Sequence, residues 1–296
     1  MSAPLVDAET KKLGLKPEKK AYVNLWFRHT IFPVYPISQL LIVTAALTEI
    51  TIPLIILRHI PVVAVMIVVG YVISFWGVSN VKNDENLKME NRLNLDWKGF
   101  FVAFSPILTT IVVAVGLDLV GFGLAKLGFD VLIATFIGLV VLIAVSKMNL
   151  QVFVKPFRSW GIYGITLAAY GAFLLKNVMI ATGIPEILKA FVTNGSVDII
   201  LLLTVVPAVL GFLTGSALGG VTISVPILYG ILTTFSPRTA ALVYMGAYLG
   251  YLITPTHLCF AFTADYFKSS LGKIYKYLIP SIAISFATAI IVYFLI

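Results

Sequence analysis

The chain has 296 residues, of which 59% are apolar and only 11% charged, against roughly a quarter charged in an average soluble domain. That balance excludes a disordered chain, a nucleic-acid binder and an ordinary cytosolic enzyme, because no soluble fold of this length hides so much apolar surface. The formal net charge of +8 then reports membrane topology, since Lys and Arg lie mostly between apolar runs. The lipid bilayer is therefore the first partner, and nucleic acid is not one.

A spanning helix needs about 20 mostly apolar residues. In chain order such runs are Ile31–Glu49, Ile52–Val78, Gly99–Leu119, Val131–Ser146, Trp160–Thr182, Val197–Leu213, Val221–Phe235, Arg238–Phe267 and Tyr275–Ile296. The first 29 residues are polar and lack an apolar core, so no cleavable signal peptide is expected there. The first and eighth runs are interrupted by prolines and polar residues. The sixth and seventh are short and joined by Thr214-Gly215-Ser216-Ala217-Leu218-Gly219-Gly220. That pattern predicts a re-entrant hairpin over 197–235, with two thin full spans as the alternative. Counting the hairpin as re-entrant gives about seven spanning helices and a cytoplasmic N-terminus in the cell membrane. Only Arg58, Lys126, Lys176, Lys189 and Arg238 of the 21 basic residues then lie outside, as the positive-inside rule expects.

The chain also repeats. A shift of 219 residues places Pro36 on Pro255, Thr44 on Thr263, Ala45 on Ala264, Ile60 on Ile279, Pro61 on Pro280, Ala64 on Ala283 and Phe75 on Phe294. In this topology the copies cross the membrane in opposite directions, an arrangement common in secondary transporters. Three parts follow: a first repeat over 1–98, two connecting helices over 99–147, and a second repeat over 148–296 with its hairpin and a broken helix over 238–267. A nearby shift of 222 places Ser2 on Ser224 and Pro4 on Pro226, and the second repeat extends further upstream of Ser224 than the first does of Ser2. The chain is thus expected to begin halfway through its first repeat, through a shortened gene model, a split gene or a reduced protein. A separate chain supplying the first hairpin is the partner this implies.

Unwound backbone at membrane depth is tolerated only where it is buried in protein or lines a cavity. The first candidate is the break at Thr254, Pro255, Thr256 and His257, where Pro255 removes a helical hydrogen bond and the neighbours offer two hydroxyls and an imidazole. The second is the hairpin tip: N–H groups from Gly219 and Gly220 to Val221 suit an anion, and Thr214, Gly215 and Ser216 suit a small cation. A sodium ion near Thr214, Ser216 and Thr254 is the metal this allows. The first repeat contributes its own break over Phe32–Gln39, with Ser38 and Gln39 facing the site. Lys176, beside Asn177, is a candidate counter-charge deep in a run. A plain proline kink and small-residue helix packing are the structural alternatives. Arg28 and His29, flanking the first break, read as membrane anchors, with ligand contact as the alternative, and His59 as interfacial. Cys259 lies in an apolar run, where it has no disulfide partner. No His/Cys cluster, carboxylate pair or nucleophile–base arrangement has the spacing for catalysis or a metal site, so no enzyme is expected.

Ser2-Ala3-Pro4-Leu5, Tyr22-Val23-Asn24-Leu25-Trp26-Phe27-Arg28-His29, Thr214-Gly215-Ser216 and Thr254-Pro255-Thr256 resemble the prokaryotic integral membrane family called domain of unknown function 401. The resemblance covers essentially the whole chain. It places the protein in the ion transporter superfamily, beside divalent anion:sodium symporters, large permease subunits of TRAP transporters and gluconate permeases. It implies an all-α inverted-repeat fold with broken helices and hairpins, an elevator-like movement, organic anions as substrates and a homodimer. The tip motif of those symporters carries an asparagine that Thr214-Gly215-Ser216 lacks. The expected function is secondary transport of small organic anions (carboxylates), with no cofactor beyond a coupling sodium ion or proton. The alternative is a non-transporting membrane scaffold, or a remnant of a transporter.

Overall fold

The computed structural model describes residues 2–76, 97–120, 129–146, 198–232 and 234–295, with isolated positions between 151 and 182. Its elements are α1 (Ala3–Lys12), α2 (Pro17–Thr30), a 3-10 turn (Phe32–Val34), α3 (Gln39–Thr48), α4 (Ile52–Phe75), α5 (Trp97–Val120), α6 (Phe129–Ser146), α7 (Ile199–Thr214), α8 (Ala217–Leu232), α9 (Pro237–Ile253), α10 (Leu258–Tyr266) and α11 (Leu271–Leu295). They fall into two units: Met1–Lys82 with Ala172–Ile296, and Asn83–Gly171. In the second unit α5 packs on α6, and Gly138 lies against the Thr110 side chain and the Pro106 carbonyl.

Four stretches are long and apolar enough to cross a membrane: Pro17–Thr48 taken through its break, Ile52–Phe75, Trp97–Leu117 and Leu271–Leu295. Val131–Ser146, Ile199–Thr214 and Ala217–Leu232 are shorter apolar helices. These mark a helical membrane protein, with four candidate spans among the described residues where about seven were expected.

The first broken helix starts at Pro17 rather than at Ile31. Its leading arm, α2, buries Ala21 to Trp26, although its composition is polar. Burial is tolerated because the polar groups are satisfied inside the protein. Tyr22 Oη shares a 2.6 Å hydrogen bond with Ser281 Oγ. Asn24 donates to Thr263 Oγ1 at 3.0 Å and accepts from Ser2 Oγ at 2.8 Å. Trp26 Nε1 donates to the Met66 carbonyl at 2.9 Å.

The core of the unit is α9, buried without interruption from Thr239 to Gly250 and packed on α3, α4, α7, α8 and α11. Its start is set by Pro237 in the first turn and a reciprocal Ser236–Thr239 capping box. Against α7 the backbones themselves meet. A Cβ on Gly246 would fall 2.8 Å from the Thr204 carbonyl oxygen, one on Gly250 would enter the Ala208 carbonyl, and one on Gly211 the Ala247 carbonyl. Glycine is required at this approach.

The 219-residue shift is visible in element ends. Ser38 N-caps α3 and His257 occupies the N-cap position of α10. Among the described residues the non-glycines with positive φ are Glu49 (61°) and Lys268 (50°), which end α3 and follow α10. The shift also carries Ile52, the start of α4, onto Leu271, the start of α11.

Candidate functional site

The break between α9 and α10 runs through Thr254–His257. Thr254 is buried, and its Oγ1 lies 2.9 Å from Thr256 Oγ1. The Ile253 carbonyl, released where α9 ends, accepts from Tyr275 Oη at 2.8 Å. His257 is buried, with Nε2 2.6 Å from Tyr251 Oη. In the first break the Phe32 carbonyl accepts from Tyr244 Oη at 3.2 Å, and Ser38 Oγ accepts from the Leu41 N–H. His59 is fully buried rather than interfacial. Its ring nitrogens lie 2.8 Å from the Pro33 carbonyl and 3.2 Å from that of Ala241, so it ties this break to α9. Side chains thus satisfy backbone groups that the helices release at both breaks.

The hairpin tip is a two-residue turn. Gly215, with φ +64°, and Ser216 close α7 through bonds to the carbonyls of Phe212 and Gly211, both at 3.3 Å, the Schellman arrangement that favours glycine. Ser216 then opens α8: its hydroxyl accepts from the Gly219 N–H at 3.1 Å and its carbonyl from the Gly220 N–H at 2.9 Å. The N–H groups of Gly219 and Gly220, expected to face an anion, are therefore already bonded. The first-turn donors that remain belong to Ala217 and Leu218. Thr214 Oγ1 lies 2.7 Å from the Leu210 carbonyl and 3.0 Å from that of Ser216. A Cβ on Gly215 would stand 2.6 Å from Thr256 Oγ1, so the tip abuts the second break.

The first break, the tip and the residues Tyr251 and Cys259 that flank the second break border an open cavity of about 540 Å³. Of the residues expected from sequence, Ser38, Gln39, Gly215 and Ser216 line it. Thr214, Gly219, Thr254, Pro255, Thr256 and His257 build the tip and the break behind them. Gly220 packs against Ala247 and Gly211 instead. Asn177 is exposed and not part of the lining, and Lys176 lies outside the described residues.

The lining also holds Tyr244, Tyr248 and Cys259, to which sequence reasoning gave no site role, with Arg28 and His29, read first as anchors, and Tyr35 and Tyr251, which belong to the two broken stretches. Among the described residues, Arg28 is the lining residue with a permanent charge, and no Asp or Glu joins it. The signal that would have found the Tyr248 contact is the repeat itself, because the 219-residue shift carries His29 onto Tyr248 and the Tyr248 hydroxyl donates to the His29 carbonyl.

No curated protein and no solved structure matches the chain. A family model described as "Protein of unknown function (DUF401)" matches residues 1–296. The chain belongs to that family.

Proposed function

We propose that the protein is a secondary transporter of small organic anions, carboxylates by preference, across the cytoplasmic membrane. The observation that carries this reading is the cavity: Arg28 is its permanent charge, Ser38, Gln39 and Ser216 add polar groups, and Ala217 and Leu218 present N–H groups from a helix start. A cationic guanidinium near helical N–H donors is chemistry suited to a carboxylate.

The transport mode rests on an inverted repeat with a re-entrant hairpin, about seven crossings and a cytoplasmic N-terminus. Its support is the matched element ends and a set of contacts that survives exchange of repeat counterparts: α2 packs on α4 and α11, and so does α9; α2 packs on α10, and α9 on α3. Movement is elevator-like, coupled to a sodium ion near Thr214, Ser216 and Thr254 or to a proton, in a homodimer.

Uptake by proteoliposomes, across a panel of mono- and dicarboxylates, tests the reading. Ser216→Ala and Thr256→Val should lower uptake at normal protein levels. Arg28→Gln should weaken ligand binding about tenfold or more, with Arg28→Lys intermediate. Absence of both uptake and carboxylate-dependent stabilisation would overturn it in favour of a membrane scaffold.

A further inference from the structure

Side chains from opposite ends of the chain meet at the wall of the cavity. A ring nitrogen of His29, a ring nitrogen of His257 and Sγ of Cys259 all lie within 4.8 Å of one another. His29 ends α2, while His257 and Cys259 belong to the second break and the first turn of α10, so no local spacing announces the cluster.

The ring environments are those of metal ligands. His29 Nδ1 lies 2.7 Å from the Leu25 carbonyl, which can only accept, so Nδ1 carries the proton and Nε2 the lone pair. A ligating histidine is commonly oriented through a carbonyl in this way. His257 is 2% exposed, and its Nδ1 is buried with no hydrogen bond; the neighbouring Leu252 carbonyl approaches the ring without completing one. A buried, unbonded ring nitrogen is costly. A metal ion at Nδ1 removes that cost, with Nε2–H donating to Tyr251 Oη 2.6 Å away. The two rings already meet edge to face, with centroids 4.8 Å apart.

The geometry points to a three-ligand site for a zinc-class transition-metal ion, made by His29, His257 and Cys259. Two nitrogens and one thiolate are a donor set suited to zinc and the softer first-row ions rather than to Mg²⁺ or Ca²⁺. Ligands about 2.0–2.3 Å from one ion stand roughly 3.3–3.8 Å apart, so closure requires a movement of about 1 Å, within reach of the Cys259 rotamer and small ring shifts. His29 and Cys259 line the cavity, so the fourth, exchangeable position of such a site opens toward it, for water or an anionic oxygen. The inference stands on these side chains and does not depend on transport.

The test uses the full 296-residue chain, without a histidine tag, purified in detergent and stripped with a chelator. Titration with Zn²⁺ against a chromogenic competitor should give one tightly held ion per chain. Cys259→Ser and His257→Gln should each weaken binding at least about tenfold. Because a variant can lose metal by misfolding, the wild-type chain is also loaded with Co²⁺. A thiolate-to-cobalt charge-transfer band supports the site. Cobalt bound without that band, no ion retained by the wild-type chain, or equal affinity in well-folded variants would overturn it.

Discussion

The phenolic hydroxyl of Tyr248 donates a hydrogen bond to the main-chain carbonyl of His29, 219 residues away. That separation equals the sequence shift that places Pro36 on Pro255. The contact joins α2 to α9 beside the cavity and orients the stretch that carries Arg28 and His29.

Tyr248→Phe should therefore leave a buried carbonyl without its donor. The expected cost is about 1–3 kcal/mol, read as a lower unfolding midpoint in detergent with no change in monodispersity. An unchanged midpoint would show that the arms are held together elsewhere.

At the hairpin tip, Gly215→Ala places a Cβ at φ +64° and 2.6 Å from Thr256 Oγ1. The left-handed backbone alone costs about 1 kcal/mol, and the clash pushes the tip off the break. Ligand binding should fall strongly. Gly272→Ala, with open space around its Cβ, is the control and should behave as wild type.

On the α7–α9 seam, Gly250→Ala drives a methyl into the Ala208 carbonyl, a backbone group that cannot rotate away. Destabilisation of at least about 1–3 kcal/mol is expected from overpacking. Gly116→Ala, with nothing near it, should be neutral in the same thermal assay.

His59→Leu removes the ring that stands 2.8 Å from the Pro33 carbonyl and strands that buried acceptor. A loss of about 1–3 kcal/mol follows from one unsatisfied buried acceptor, and slow exchange at backbone amides around the first break should quicken. Retention of wild-type protection would remove His59 from its place as a tie.

Near the N-terminus, Asp7 bridges Lys20 at 2.9 Å and Lys11 at 3.0 Å. The Lys20 ammonium, then that of Lys11, holds its carboxyl below the ordinary value of 3.8. A depressed folded value means that the α1–α2 contact is fully supported above pH 3.8 and is lost as pH falls further. Asp7→Asn should abolish this acid dependence in a fluorescence melt of the N-terminal region.

What was legible in the sequence was local. Gly215 and Ser216 between apolar runs announce a tight turn, and Pro255 among threonines announces a break, because each acts through its own backbone. The polar arm α2 was not legible as part of the buried unit. Asn24, Tyr22 and Trp26 depress its hydropathy, and their partners Thr263, Ser281 and Met66 lie far along the chain. Arg28 and His29 read as anchors for the same reason: only the packing of α2 on α10 and α11 brings them to the cavity. The cluster with Cys259 was hidden likewise, since metal spacing is a local pattern and this grouping is tertiary.

The glycine seam has a mechanical consequence. Where Gly211, Gly246 and Gly250 bring main chain against main chain, no pliable side chain lies between the helices to absorb sliding. The α7–α9 pair is therefore stiff in shear and must travel as one rigid body. Relative movement within this unit falls instead on surfaces faced with longer side chains, where rotamers can yield.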